Sequence, residues 1–196
     1  MAHIYVTGAG YSKRVVPAGV PFEFALAEND ALIASPAWRN APPSRHVLVD
    51  SPIDPRSASD LVADVVDGPG RREWWIETSV YSVPLLRGWT AIISGEVSPA
   101  FDLVRGECGI FIQTARNRPG LDSLAAAGQS EIARGSDDHI DWVELSYVLE
   151  NRRWIQRHSL FRDRPQVMMT GQGPADQFPP VRVAQDELGR RVEFSR

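Results

Sequence analysis

The densest grouping of potential ligands in this 196-residue chain is Asp137, Asp138, His139 and Asp141. Oxygen-rich loops of this kind hold hard cations, but a calcium loop needs a longer, regular array closed by a bidentate glutamate. No such array follows, and polar residues between a glycine stop at Gly135 and a strongly alternating stretch are what turns use. The cluster therefore reads as a solvated turn, and no metal site is expected. His46 and His158 have no acid or nucleophile at a diagnostic spacing, so no catalytic triad is expected either. Glu23, Glu28, Asp30, Glu144 and Glu150 are carboxylates of the type that pair for acid–base work. Their alternation with apolar neighbours reads instead as the solvent face of strands.

Ile4-Tyr5-Val6-Thr7-Gly8-Ala9-Gly10 opens like a dinucleotide-binding turn, in which glycines admit a pyrophosphate to a helix N-terminus. The helix it requires cannot follow, because Val15-Val16-Pro17-Ala18-Gly19 and Pro21 interrupt it. An ordinary turn is expected, and no cofactor. Cys108 is the single cysteine, so no internal disulfide forms. With no histidine near it in sequence, it reads as a small buried filler rather than a nucleophile.

Composition narrows the partners. A formal charge of −4 provides no basic field for a phosphate backbone, so no nucleic acid is expected. No apolar run approaches the ~20 residues that cross a bilayer, and the start Met1-Ala2-His3-Ile4-Tyr5 is unlike a signal peptide. A cytoplasmic protein without membrane insertion is expected. Tryptophan is abundant, at positions 38, 74, 75, 89, 142 and 154. Trp74 and Trp75 must point to opposite faces of one strand, while Trp142 and Trp154 flank a hairpin on the face away from Val143, Leu145 and Tyr147. An exposed aromatic face marks a binding surface, so Trp74, Trp75, Trp142 and Trp154 are the candidate contact residues. The alternative is that both faces of the sheet are covered.

The elements that must position these residues follow from periodicity. Ile4–Val6, Phe22–Leu26 and Val47–Val49 read as strands, 36–43 as an irregular loop, and Ser57–Val66 as a helix with apolar residues at helical spacing. Trp74–Val80, Trp89–Ile93, Phe101–Val104 and Ile110–Thr114 have the rhythm of an antiparallel meander. Leu121, Leu124, Gly128 and Ile132 share one face of a helix predicted to run to Arg134. Val143, Leu145, Tyr147 and Leu149 alternate with polar partners as a half-buried strand does. Glu150-Asn151-Arg152 turns this strand into Trp154–Phe161, Gln166–Thr170 adds another, and Pro180–Gly189 forms a short amphipathic helix.

From Tyr81 onward the order of elements resembles the Mog1/PsbP-like fold, which includes bacterial DcrB-type proteins and the effector-associated chaperones of type VI secretion. The resemblance is carried by Tyr81-Ser82-Val83-Pro84-Leu85-Leu86-Arg87-Gly88-Trp89, Phe101-Asp102-Leu103, Gly109-Ile110-Phe111-Ile112, Leu121 to Arg134, Trp142 to Phe161, Val167-Met168-Met169-Thr170 and Phe178. It implies an α+β fold, with a central, mostly antiparallel sheet flanked by helices, and secretion-accessory, binding or chaperone roles. Residues 1–72 form a β-rich extension with one helix, and 73–196 the α/β sandwich domain. The expectation for function is a non-catalytic protein-binding module, such as a chaperone, adaptor or immunity-type factor, with a protein partner and with homo-oligomers as a further outcome. The competing expectation is a small-molecule-binding protein or enzyme, with a cleft between the extension and the sheet where His46, His139 or His158 meets a carboxylate.

Overall fold

A computed structural model describes residues 5–7, 13–17, 22–26, 28, 32–36, 47–49, 62–67, 73–93, 101–114, 120–164 and 166–195. In chain order the strands are β1 (Tyr5–Thr7), β2 (Lys13–Pro17), β3 (Phe22–Leu26), β4 (Leu32–Pro36), β5 (Val47–Val49), β6 (Val62–Asp67), β7 (Trp75–Glu77), β8 (Tyr81–Pro84), β9 (Thr90–Ile93), β10 (Phe101–Arg105), β11 (Cys108–Thr114), β12 (Ser130–Ser136), β13 (Ile140–Leu149), β14 (Arg152–Phe161), β15 (Val167–Pro174) and β16 (Glu193–Phe194). Helix α1 (Pro179–Arg191) and a 3-10 turn at Leu121–Ser123 complete the described elements. Two compact units result, residues 1–103 with 192–196, and residues 104–191.

The first unit contains a six-stranded sheet in the order β16-β8-β7-β1-β2-β6 and an antiparallel ladder β9-β3-β4-β5. All three residues of β7 are buried, and so is Trp74 before it. A tight turn joins β7 to β8. Thr78 Oγ1 accepts the N–H groups of Val80 and Tyr81 at 3.2 and 3.0 Å and donates to Tyr81 O at 2.8 Å, a local hydroxyl turn that holds the hairpin closed. Tyr81 is fully buried, with its ring 6.0 Å from that of Phe101. Burial drives its phenol well above the ordinary range, and the Asp102 carboxylate adds to the effect.

In the second unit the strands run β12-β13-β14-β15-β11, each antiparallel to the next. Residues opposite one another share a face. One face therefore carries Trp142, Glu144, Arg157, Ser159, Met169, Gly171, Gly173, Ile110 and Ile112, and the other carries Val143, Leu145, Tyr147, Trp154, His158, Leu160, Met168 and Thr170. Helix α1 lies on the first face through Val181, Ala184, Gln185, Leu188 and Gly189, the i, i+3, i+4 stripe of an amphipathic helix. Polar groups fix its position. Buried Glu144 accepts Arg182 Nε and Nη2, both at 2.8 Å, and Arg157 reaches Asp186 at 2.9 Å while lying 4.4 Å over the Trp142 ring. Gln185 Nε2 donates to Arg157 O at 3.2 Å.

Edge strand β12 is bulged at Ile132. Glu131 faces Leu145 and Arg134 faces Val143, so both project from the same face although they are three apart. The bulge lets Arg134 grip Glu131 at 2.6 and 3.0 Å and also reach Asp122 of the 3-10 turn at 2.7 Å. This arginine holds the Glu131 carboxyl below its usual range.

The described residues correct the expected α+β fold flanked by helices: they are predominantly strand, with α1 as the one α-helix. The helix expected from Leu121 to Arg134 is a single 3-10 turn followed by β12. Gly128 takes φ +85°, a left-handed conformation that ends any helix, and Arg134 is used by the bulged strand. The helix expected over Ser57–Val66 is replaced at its end by β6, whose Val62, Val65 and Val66 suit a pleated ladder with β2; 57–61 lie outside the described residues, as do Gly8, Gly10 and 37–43 of the expected loop, whose first residue Pro36 ends β4. Strand β15 continues through Gly171-Gln172-Gly173-Pro174, beyond the expected Gln166–Thr170. Its glycines face α1 and Cys108, where a side chain would collide. A Cβ at Gly171 would lie 2.5–2.6 Å from the Gln185 amide and Val181 Cγ1. Gly171→Ala is therefore expected to lower unfolding free energy by about 1–3 kcal/mol, the usual range for overpacking, read from urea denaturation. An unchanged midpoint would show that α1 is not seated against β15.

Candidate functional site

The β13–β14 hairpin is the longest feature of the second unit, with ten residues in each strand. Glu150 and Asn151 turn it with φ of 51° and 61°, the doubly left-handed geometry that matches the twist of a two-residue hairpin. Pairing with β12 stops at Ser146, and pairing of β14 with β15 stops at Trp154. The tip from Tyr147 to Arg153 therefore overhangs the sheet. On the β14 side it is braced: Ala175 N–H donates to Arg153 O at 2.9 Å, and Arg152 binds Glu107 at 2.7 Å and Asp176 at 2.9 Å. Arg152 in turn holds the Asp176 carboxyl below its normal range. On the β13 side β12 offers no ladder partner beyond Ser146.

Burial falls along β13 accordingly. Val143 and Leu145 are buried, Tyr147 is half-buried, Val148 is 71% exposed and Leu149 is 45% exposed. Tyr147 stacks on Trp154 directly across the hairpin, with centroids 6.4 Å apart and planes 30° from parallel. Partial burial raises the Tyr147 phenol pKa. Leu149 shares the odd-numbered face with this aromatic pair, while Val148 is exposed on the opposite face of the tip.

The four candidate tryptophans do not form one surface. Trp74 and Trp75 are buried, so the covered-face alternative holds for this pair. Trp142 lies over Gly135 and under Arg157 on the α1 face. Trp154, expected beside Trp142, is on the opposite face with Tyr147, because it stands across from an odd-numbered residue of β13. Glu144, expected to face solvent, is buried and paired with Arg182. Local alternation could not reveal a partner 38 residues away. Val148 and Leu149 were missed as candidates; their signal is adjacency to the turn.

The remaining candidates resolve into local roles. Asp137 Oδ1 accepts the N–H groups of His139 and Ile140, each at 2.8 Å, which holds its carboxyl below the usual range. Asp141 pairs with Arg162 at 2.7 Å, so the acidic cluster is divided between a turn and an ion pair. Among the described residues no group of three His, Cys, Asp or Glu side chains converges on a metal position. Cys108 is buried and its Sγ lies 3.4 Å from Gln177 O; burial, with nearby Glu107, raises its thiol pKa. His46 and Asp30 lie outside the described residues. Among the described residues no helix is long and apolar enough to cross a membrane. No protein-family model matches the chain, and no curated protein matches it.

His158 shares the face of Trp154 on β14. It is 7% exposed, its Nδ1 lies 2.9 Å from Thr170 Oγ1, and its buried Nε2 has no hydrogen-bond partner. Burial lowers its pKa below the ordinary 6.5. The unfolded chain then takes up a proton that the folded chain refuses, so this residue's contribution is intact above pH 6.5 and declines as pH falls toward the folded pKa. Thermal midpoints between pH 7.5 and 5 should fall more steeply for the wild type than for His158→Gln. Parallel curves would mean that His158 protonates freely in the folded state.

Proposed function

We propose that the chain is a non-catalytic protein-binding module of the chaperone, adaptor or immunity type, and that its contact surface is the overhanging tip of the β13–β14 hairpin. One observation carries the reading: at the overhang Leu149 is exposed on the same face as the stacked Tyr147–Trp154 pair, and Val148 is exposed on the reverse face of the same tip. Burying an aliphatic side chain of this size is worth about 1.5–3 kcal/mol, and rigid aromatic anchors lose little entropy on docking. The two-residue turn and the Arg152 brace preorganise the tip, which lowers the ordering cost of association. The acidic balance of the chain favours a protein over a nucleic acid as the partner. A reducing cytoplasm suits a protein whose single thiol is buried.

The test compares wild type with Val148→Asp/Leu149→Asp, a change confined to exposed positions and expected to alter unfolding free energy by less than about 1 kcal/mol. Proteins captured by wild type at stoichiometric levels should be reduced at least about tenfold on the variant, since a loss of ~1.4 kcal/mol in binding is a factor of ten. Equal capture by both proteins would remove the tip from the interface. Light scattering on the same pair distinguishes a foreign partner from self-association, which predicts a dimer in wild type alone.

A further inference from the structure

Among the described residues, the outer edge of β8 in the six-stranded sheet is covered by the short strand β16 and Ser195 after it. Glu193 and Phe194 of β16 pair antiparallel with Ser82 and Tyr81 of β8, and Ser195 N–H donates to Val80 O at 2.9 Å. On the inner side Thr78 N–H donates to Tyr81 O at 2.8 Å. Alternate residues of an antiparallel strand serve opposite neighbours, so the Val80 carbonyl and the main-chain groups of Ser82 face β16 while Tyr81 turns its own toward β7; the Val80 N–H is taken by Thr78 Oγ1 in the turn. Pro84 has the same outward parity and no N–H, which closes the hydrogen-bonding strip after residue 83. What remains is a short, defined edge on a hairpin held by the Thr78 turn and by the pairing of β7 with β1.

We propose that the β8 edge is a strand-acceptor site for an extended segment of a partner protein, and that β16 keeps it closed by occupying it in the partner's register. Strand addition draws affinity from main-chain bonds and specificity from alternate side chains. β16 displays the pattern that the edge accepts: an aromatic residue in the close pair opposite buried Tyr81, flanked by polar residues opposite half-buried Ser82 and Val80. The partner segment therefore has a polar–aromatic–polar sequence in extended form. A two-residue edge strand is among the elements that open at least cost, and its release leaves β7 and β8 paired through Trp75–Pro84, Ile76–Val83 and Glu77–Ser82. This site is separate from the hairpin tip and stands or falls independently of it.

The test uses the full chain and a fluorescein-labelled peptide copying residues 190–196, followed by fluorescence anisotropy. Phe194→Ser loosens the cover. The double variant Ser82→Cys/Glu193→Cys joins two directly opposed residues, whose spacing in a ladder falls within disulfide range, and locks the cover when oxidised. Phe194→Ser should bind the peptide about tenfold tighter than wild type, because apparent affinity scales with the open fraction. The double variant should bind when reduced and not when oxidised, and a peptide with aspartate in place of its phenylalanine should bind none of them. Equal binding by the oxidised and reduced forms, or Phe194→Ser binding no tighter than wild type, overturns the proposal. Should circular dichroism show Phe194→Ser unfolded, the oxidised–reduced comparison within one polypeptide decides.

Discussion

The close seating of α1 on the β11–β15 ladder is the constraint from which the rest of the second unit follows. It is possible because Gly171 leaves β15 without a side chain where Gln185 and Val181 of the helix sit, while Gly173 makes room for Cys108 of the neighbouring strand. Once the helix is down, Glu144 is buried and must be paired, since an isolated carboxylate in such a position is costly. Arg182 supplies the partner from the helix. The parity of β13 is then set: even-numbered residues face α1, and odd-numbered residues face away. Because β14 is in direct register, Trp154 follows Tyr147 to the far side.

Three strand margins are treated in three ways. The β12 edge is bulged and charged, with Arg134 shared between Glu131 and Asp122, devices that discourage further pairing. The β8 edge is covered by β16. The hairpin tip projects beyond its neighbours with aliphatic side chains bare. Val148 and Leu149 are exposed there because the ladders with β12 and β15 end at Ser146 and Trp154, short of the tip.

Much of the strand order was legible in the sequence. The alternation from Val143 to Leu149, the Glu150-Asn151 turn and the return strand from Trp154 to Phe161 agree with the structure, because strand period and turn chemistry are local properties. The amphipathic stripe of α1 was equally plain. Leu121, Leu124 and Ile132 misled because helical spacing between apolar residues says nothing about the conformation at Gly128, where a positive φ separates a single turn from a strand. The expected strand Gln166–Thr170 stopped short of the glycines of β15, whose place within the strand depends on residues distant in sequence, Val181 and Gln185 at Gly171 and Cys108 at Gly173.

The candidate surface was legible only in part. Trp154 was identifiable as an aromatic residue of the return strand, but its face was not, since that depends on which residue of β13 lies opposite. Trp74 and Trp75 carry the same local signal as an exposed aromatic pair and are buried. The sequence by itself determined the alternation, the turns and the helical stripe, all written in neighbours within a few positions. Tertiary structure alone decided which faces are covered, where Glu144 finds its cation and how far the hairpin overhangs. Those outcomes depend on contacts between residues tens of positions apart, for which local spacing carries no energy.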